Sequence, residues 1–255
     1  SARKTRMKTT ASTNHASPRF PCRFHPLVGP SFYSDKHTIL FHGDSHRIGQ
    51  LLGQFDLLLT DPPYGIHADS AAAKNKGKWG WKHYGDTDWD AKRPPRWAIE
   101  MLMEACRFHI IWGGNYFAAH LPPSMGWLVW NKGQRNFSLA DGELAWTSFD
   151  RALRICDVSR AKALKDGKRH PTQKSLDVME WSIAYAQRAS GGKVETIFDP
   201  YAGAGTTLLA AKRLGLRAVG VEASEDYCRA AAERLRACRP NSAICVGTDS
   251  KKAEK

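Results

Sequence analysis

Val194-Glu195-Thr196-Ile197-Phe198-Asp199-Pro200-Tyr201-Ala202-Gly203-Ala204-Gly205-Thr206-Thr207 is the stretch that decides the fold. A short β-branched and aromatic run ends on a carboxylate, passes a proline and a Gly-x-Gly bend, and gives way to a helical segment over residues 206–214 that Gly215 closes. Residues 217–221 form a second apolar run, which ends in Glu222. Strand, glycine turn, helix and strand, with an acid about twenty residues past the turn, is the arrangement by which open α/β sheets grip a nucleoside ribose.

Two departures narrow the ligand. Leu208 stands where the dinucleotide fingerprint has its third glycine, and no P-loop lysine follows the turn. Close backbone approach and a ribose-gripping Glu222, without a pyrophosphate cradle, suit an adenosine compound with an amino-acid tail. S-adenosyl-L-methionine meets that description.

The second informative stretch is Leu57-Leu58-Leu59-Thr60-Asp61-Pro62-Pro63-Tyr64-Gly65. Residues 55–60 read as a buried parallel strand that two prolines stop, since proline lacks an N–H and holds the preceding residue extended. The Asp61 carboxylate and the Pro62 carbonyl become two fixed acceptors beside an aromatic ring. The plain reading is a strand exit with a capping Asp. The chemical reading is a grip for an exocyclic amine on a flipped-out base: two acceptors take its N–H bonds and Tyr64 stacks on its ring.

Upstream, residues 38–42 are a strand, Gly43-Asp44 a turn and residues 45–52 a short helix. This βαβ pattern predicts Asp44 and Asp61 at the carboxyl ends of neighbouring parallel strands. Residues 108–112, 127–130 and 143–146 read as further strands, and residues 97–106 as an amphipathic helix. His170-Pro171-Thr172-Gln173-Lys174-Ser175 opens a helix whose apolar face is Leu176, Met179, Ile183 and Ala186. A lysine at a helix N-terminus opposes the macrodipole, which points to an anion such as a ligand carboxylate for Lys174 to meet.

A net charge of +13 and a pI near 9.6 favour a polyanionic partner, with a basic surface as the plain alternative. The six cysteines show no Cys-x-x-Cys and no metal-type clustering with histidine, so they read as reduced and mostly packed, and no metal is expected. With no membrane-length apolar run and no signal peptide, the expectation is a cytoplasmic protein, a bacterial or phage-encoded activity associated with the nucleoid. Residues 1–35 read as a flexible basic N-terminal arm, residues 36–247 as one catalytic domain and residues 248–255 as a tail. Two loops, about 66–96 and 149–169, are expected to face nucleic acid. Lys74, Lys76, Lys78, Trp79, Trp81, Lys82 and Tyr84 interleave charge with rings, and Lys168 and Arg169 continue the basic surface. The plain alternative for residues 74–84 is a surface loop whose tryptophans pack back on the core.

Taken together, the Asp61–Tyr64 turn, the His170–Lys174 helix start and the Asp199–Thr206 turn resemble the motifs of the DNA amino-methyltransferases, with Tyr201 where the family usually has Phe. The order, catalytic turn first, is similar to the permuted β class, and the likeness runs from about residue 38 to 235. It implies a Rossmann-like class I methyltransferase: α/β, with a mostly parallel central sheet and helices on both faces. It also implies a transfer from S-adenosyl-L-methionine to a flipped-out DNA base. Asp61, Pro62, Pro63 and Tyr64 would be the catalytic turn. Asp44, Asp61, Lys174, Asp199, Tyr201, Ala202, Gly203, Gly205, Thr206, Thr207 and Glu222 would bind the cofactor: Lys174 its carboxylate, Glu222 its ribose hydroxyls and Asp44 its adenine amine. Asp44 and Thr207 also read as simple helix caps.

Asp at the head of the turn resembles the adenine-N6 enzymes, whereas cytosine-N4 enzymes more often have Ser there. The expected activity is therefore site-specific or relaxed adenine-N6 methylation of DNA, of the kind found in restriction-modification. Cytosine-N4 or RNA adenine methylation are the alternatives. From another class, a catalytically silent nucleic-acid-binding subunit would have no use for two intact turns. Members with strict recognition carry a large insert before the lysine helix, and here only residues 149–169 stand in that place, so recognition is either relaxed or shared with residues 74–84 or a second subunit. Family members are often dimers, which makes a homodimer the expectation from resemblance, although the sequence shows no interface.

Overall fold

The computed structural model describes residues 24–66, 90, 92–135, 140–159 and 174–239. Among these the chain runs β1 (Phe24–His25), β2 (Gly29–Pro30), β3 (Tyr33–Ser34), β4 (Thr38–His42), α1 (Ser45–Gly49), β5 (Phe55–Thr60), α2 (Arg96–Glu104), β6 (Cys106–Trp112) and a 3-10 turn (Gly114–Phe117). It continues through β7 (Trp127–Asn131), β8 (Gly142–Thr147), β9 (Arg154–Asp157), α3 (Leu176–Ser190), β10 (Thr196–Asp199), α4 (Thr206–Arg213), β11 (Arg217–Glu222) and α5 (Glu225–Ala237).

Nine strands form one sheet in the order β3-β4-β11-β10-β5-β6-β8-β7-β9. The five from β4 to β6 are parallel. β3 lies antiparallel on β4, β8 turns back along β6, β7 is antiparallel to β8, and β9 runs parallel to β7. β1 and β2 form a separate hairpin.

Alternation within the strands builds a core on each face. Leu40, Leu57, Leu59, Ile110, Trp112, Ile197 and Ala218 point to the layer of α3, α4 and α5, where they meet Met179, Ile183, Leu208 and Leu235. Ile39, Phe41, Leu58, Ile111, Phe198 and Val219 point the other way, toward α1, α2 and the 3-10 turn. Each fully buried Leu, Ile, Val or Phe side chain among them contributes about 1.5–3 kcal/mol. Leu176, Met179, Ile183 and Ala186, the expected apolar face of α3, are all buried. Among the described residues Cys106, Cys156 and Cys228 are buried and in no disulfide, and no helix is long and apolar enough to cross a membrane.

Three expectations need correction. β4 and β5 are not neighbours, because β11 and β10 lie between them. A run as apolar as Leu57-Leu58-Leu59 demands partners on both edges, but periodicity does not say which strands supply them. Residues 149–169 are not wholly irregular: Arg154–Asp157 is an edge strand, with Cys156 turned in and Ile155 59 % exposed. The basic residues around it mask that two-residue alternation.

The fold also reaches back before residue 36, into the segment expected to be a flexible arm. β3 joins the sheet, and Asp35 Oδ1 accepts from the His37 and Thr38 amides at 2.8 and 2.7 Å. Asp35 Oδ2 pairs with Lys212 at 2.6 Å, and Lys212 also donates to the Leu235 carbonyl at 2.6 Å. Residues 1–23 and 240–255 lie outside the described residues.

Candidate active site

β5, β10, β11 and β4 are adjacent and parallel, so their carboxyl ends lie along one edge of the sheet. Read across that edge, the chain presents Asp61, Asp199, Glu222 and, one residue past Gly43, Asp44. A cavity of about 510 Å3 opens there, a size suited to a small-molecule ligand. Its wall includes Asp44, Asp61, Pro63, Lys174, Asp199, Tyr201, Ala202, Gly203, Thr206, Thr207 and Glu222. The diproline corner and the glycine bend, distant in sequence, therefore face a common space.

Gly203 sits at φ 51°, and a Cβ built there would meet no protein atom within 4 Å, so the bare backbone faces open cavity. Its N–H donates to Glu222 Oε2 at 2.8 Å, and Glu222 Oε1 accepts from the Ser224 amide at 2.8 Å. Burial raises the Glu222 carboxyl above its ordinary range, with these backbone donors opposing.

Gly205 is different. A Cβ there would stand 2.8 Å from the Ala231 Cβ, so its bareness serves the packing of α5, and it does not line the cavity. Arg234 of α5 ties the turn down by donating to the Ala204 carbonyl and to Thr206 Oγ1 at 3.1 Å.

Asp199, 2 % exposed, accepts from Thr60 Oγ1 at 2.8 Å and from the Tyr201 amide at 3.2 Å. Burial pushes its carboxyl up to about 6. The Tyr201 hydroxyl, which the usual Phe would lack, is 2.8 Å from His46 Nε2. Asp44 caps α1 through the His46 amide at 2.9 Å and also lines the cavity.

At the other end, Lys174 is 6 % exposed and spends its ammonium on the protein's own acceptors: Asp61 Oδ1 at 3.0 Å, the Tyr64 hydroxyl at 3.0 Å, and Glu143 Oε2. The anion expected for it is thus supplied by two carboxylates of the chain. Burial disfavours the Lys174 charge, but Asp61 and Glu143 outweigh it and raise its pKa well above normal. Burial likewise raises Asp61, with Lys174 opposing and Glu143 adding to the rise.

The Tyr64 hydroxyl also donates to Asp61 Oδ1. Its ring stacks on Tyr116 with centroids 4.7 Å apart, so one face is already covered. Gly113, at φ 69°, makes room for that ring: a Cβ there would lie 2.0 Å from Tyr64 Cε1. Asp90 Oδ1 holds the turn by accepting from the Tyr64 and Gly65 amides at 2.7 and 2.9 Å. Pro62 and Tyr64 do not line the cavity wall.

Sequence reasoning missed Glu143, Asp90, Tyr116, His46 and Arg234. Glu143 carried a signal, an acid inside an otherwise apolar strand. Asp90 and Tyr116 carried none that spacing could reveal. Lys74, Lys76, Lys78, Trp79, Trp81, Lys82, Tyr84, Lys168 and Arg169 lie outside the described residues, as do residues 170–173.

Residues 126–233 match the family model of the N6/N4-type DNA methylases. The chain is 24 % identical over 263 residues to the type II methyltransferase M2.DpnII of Streptococcus pneumoniae, covering 83 % of this chain and 94 % of that one. Over residues 126–233 the chain is similar to the N6/N4-type DNA methylases, and over most of its length to type II DNA methyltransferases. The type II methyltransferase M2.LlaDCHI of Lactococcus lactis subsp. cremoris is 23 % identical over 258 residues, covering 82 % and 93 % of the two chains. Among solved structures, the cytosine-N4-specific PvuII DNA methyltransferase shares the fold at a TM-score of 0.52 with 13 % identity, over 84 % of this chain and 90 % of that one.

The family's cofactor is S-adenosyl-L-methionine and its substrate DNA, and the cavity along the Gly203 wall, beside the Glu222 carboxylate, is the candidate place for a cofactor of that size. The family match covers the Gly203–Gly205 turn and Lys174 but begins after Asp61.

Proposed function

We propose that this methyltransferase acts on the N6 amine of adenine in DNA, with Asp61 and the Pro62 carbonyl as acceptors for the two N–H bonds of a flipped-out base. The observation that carries the reading is the state of Asp61: Oδ1 is engaged by Lys174 and Tyr64, whereas Oδ2 has no hydrogen bond among the described residues and the side chain lines the cavity that Gly203 also lines. An amine held by two acceptors turns its lone pair away from them, toward the space between the corner and the glycine bend. S-adenosyl-L-methionine, when bound, supplies a sulfonium methyl as the electrophile. Tyr201, Ala202, Gly203, Thr206, Thr207 and Glu222 would hold it, and Asp44 would meet its adenine.

The chain's contribution is positioning and electrostatics, with no covalent enzyme intermediate. Adenine is preferred because the turn begins with Asp, and cytosine also offers two N–H donors. The test is incubation with labelled cofactor and unmodified DNA, followed by mass spectrometry of the nucleosides. N6-methyladenine is expected. N4-methylcytosine would overturn the choice of base, and no product would overturn the activity. Asp61→Ala should abolish transfer while cofactor affinity stays within about tenfold, under ~1.4 kcal/mol.

A further inference from the structure

The acceptor reading of Asp61 leaves Glu143 unexplained. Glu143 enters from β8, two strands away from β5, and belongs to none of the sequence motifs. Its Oε2 accepts from Lys174, and its Oε1 pairs with Lys132 Nζ at 2.5 Å. Four charges of alternating sign therefore run from Lys132 through Glu143 and Lys174 to Asp61. An ammonium has three N–H donors, and Lys174 has three acceptors: Asp61 Oδ1, the Tyr64 oxygen and Glu143 Oε2. Its head is saturated and cannot rotate without losing a bond. Without Glu143, a flexible four-carbon stem would be free to carry the ammonium elsewhere.

We propose that Glu143 is a positioning residue for methyl transfer: anchored by Lys132, it fixes the Lys174 ammonium, which holds the Asp61 carboxylate with Oδ1 engaged and Oδ2 left for the target amine. The inference rests on the reading of Asp61 as amine acceptor. The groups that set the ionisation of Asp61 are Lys174, Glu143 and Tyr64, with Asp199 at the end of the adjacent strand β10. Burial opposes the charge on Glu143, and Lys174 and Lys132 outweigh it, holding its carboxyl down to about 2, so it is an anion throughout the working range.

The experiment measures single-turnover methyl transfer across pH, with cofactor and DNA affinities, for Glu143→Ala, Glu143→Gln and, in parallel, Asp61→Ala. Glu143→Ala should lower the plateau rate at least about tenfold, while both affinities stay within about twofold. Glu143→Gln keeps an oxygen for Lys174, so the plateau should recover to within about threefold. Because the Glu143 charge raises Asp61, its removal in Glu143→Gln should move the acid limb to lower pH. A packing role would lower stability without moving that limb. A wild-type rate in Glu143→Ala, an unmoved limb in Glu143→Gln, or an affinity loss matching the rate loss would each overturn the inference. Turnover in Asp61→Ala would instead sink the acceptor reading. A dead Asp61→Ala beside a wild-type Glu143→Ala would remove the positioning role alone.

Discussion

Asp199→Asn should make the protein more stable at neutral pH, by an amount that depends on pH in a defined way. The Asp199 carboxyl is raised from 3.8 to about 6, chiefly by burial, so the folded state holds its proton more tightly than the unfolded chain does. Between those two values the folded protein binds more protons, and stability falls as pH rises. The cost is nearly absent below about pH 4 and complete above about pH 7, where roughly two units at 1.36 kcal/mol each come to about 3 kcal/mol. Asparagine presents the same Oδ1 to the Thr60 hydroxyl and the Tyr201 amide, so both hydrogen bonds survive without the charge. In urea melts the variant's advantage should therefore grow by about 2.5 kcal/mol between pH 4 and pH 7.5, with about half of the growth above pH 5. Glu222 titrates in both proteins, and the difference between the two curves cancels it; the like charge of Asp61 is a minor cause of the Asp199 rise, so removing Asp199 also eases the charge on Asp61 and acts in the same direction. An advantage that does not change with pH, or one that shrinks as pH rises, would refute the claim that Asp199 is a destabilised anion.

Other substitutions test the rest of the site. Gly203→Val sets a side chain in the cavity at a φ of 51°, and calorimetry should show cofactor affinity lost by more than about tenfold with only about 1–3 kcal/mol of stability cost. Gly113→Ala drives a methyl to 2.0 Å from the Tyr64 ring, so Tyr64 must leave Tyr116; methyl transfer should fall while cofactor binding holds. Lys212→Met strands Asp35 and the Leu235 carbonyl, and should cost about 2–4 kcal/mol in denaturant melts with no change in cofactor affinity. Affinity for DNA should fall steeply with salt, as measured by anisotropy; a flat dependence would argue against a phosphate-tracking surface.

Much of this molecule is legible in its sequence because local patterns report local chemistry. The Gly-x-Gly bend, the diproline stop and the acids that end β5, β10 and β11 are each written within a few consecutive residues. What joins them is not. Nothing in residues 38–60 states that β10 and β11 will slot between β4 and β5. The three residues that shape the Asp61 corner from outside the motifs, Glu143, Asp90 and Tyr116, act through tertiary contacts alone. Lys174 shows the middle case. Its position at a helix start says that it meets an anion, and only the packed structure says that the anion is the protein's own. Gly205 is the converse, a motif residue whose smallness answers to a neighbouring helix and not to a ligand.

The sheet order has a consequence for how the enzyme comes into being. β5 is synthesised early, yet its partner β10 lies 140 residues further along, and until that segment emerges the apolar strands β4 and β5 lack the two strands that lie between them. Long-range closures of this kind are slow, and they expose adhesive edges while they wait. Nascent chains halted before residue 196 should accordingly be clients for chaperones and devoid of methyl transfer, even though they already carry the whole Asp61 corner.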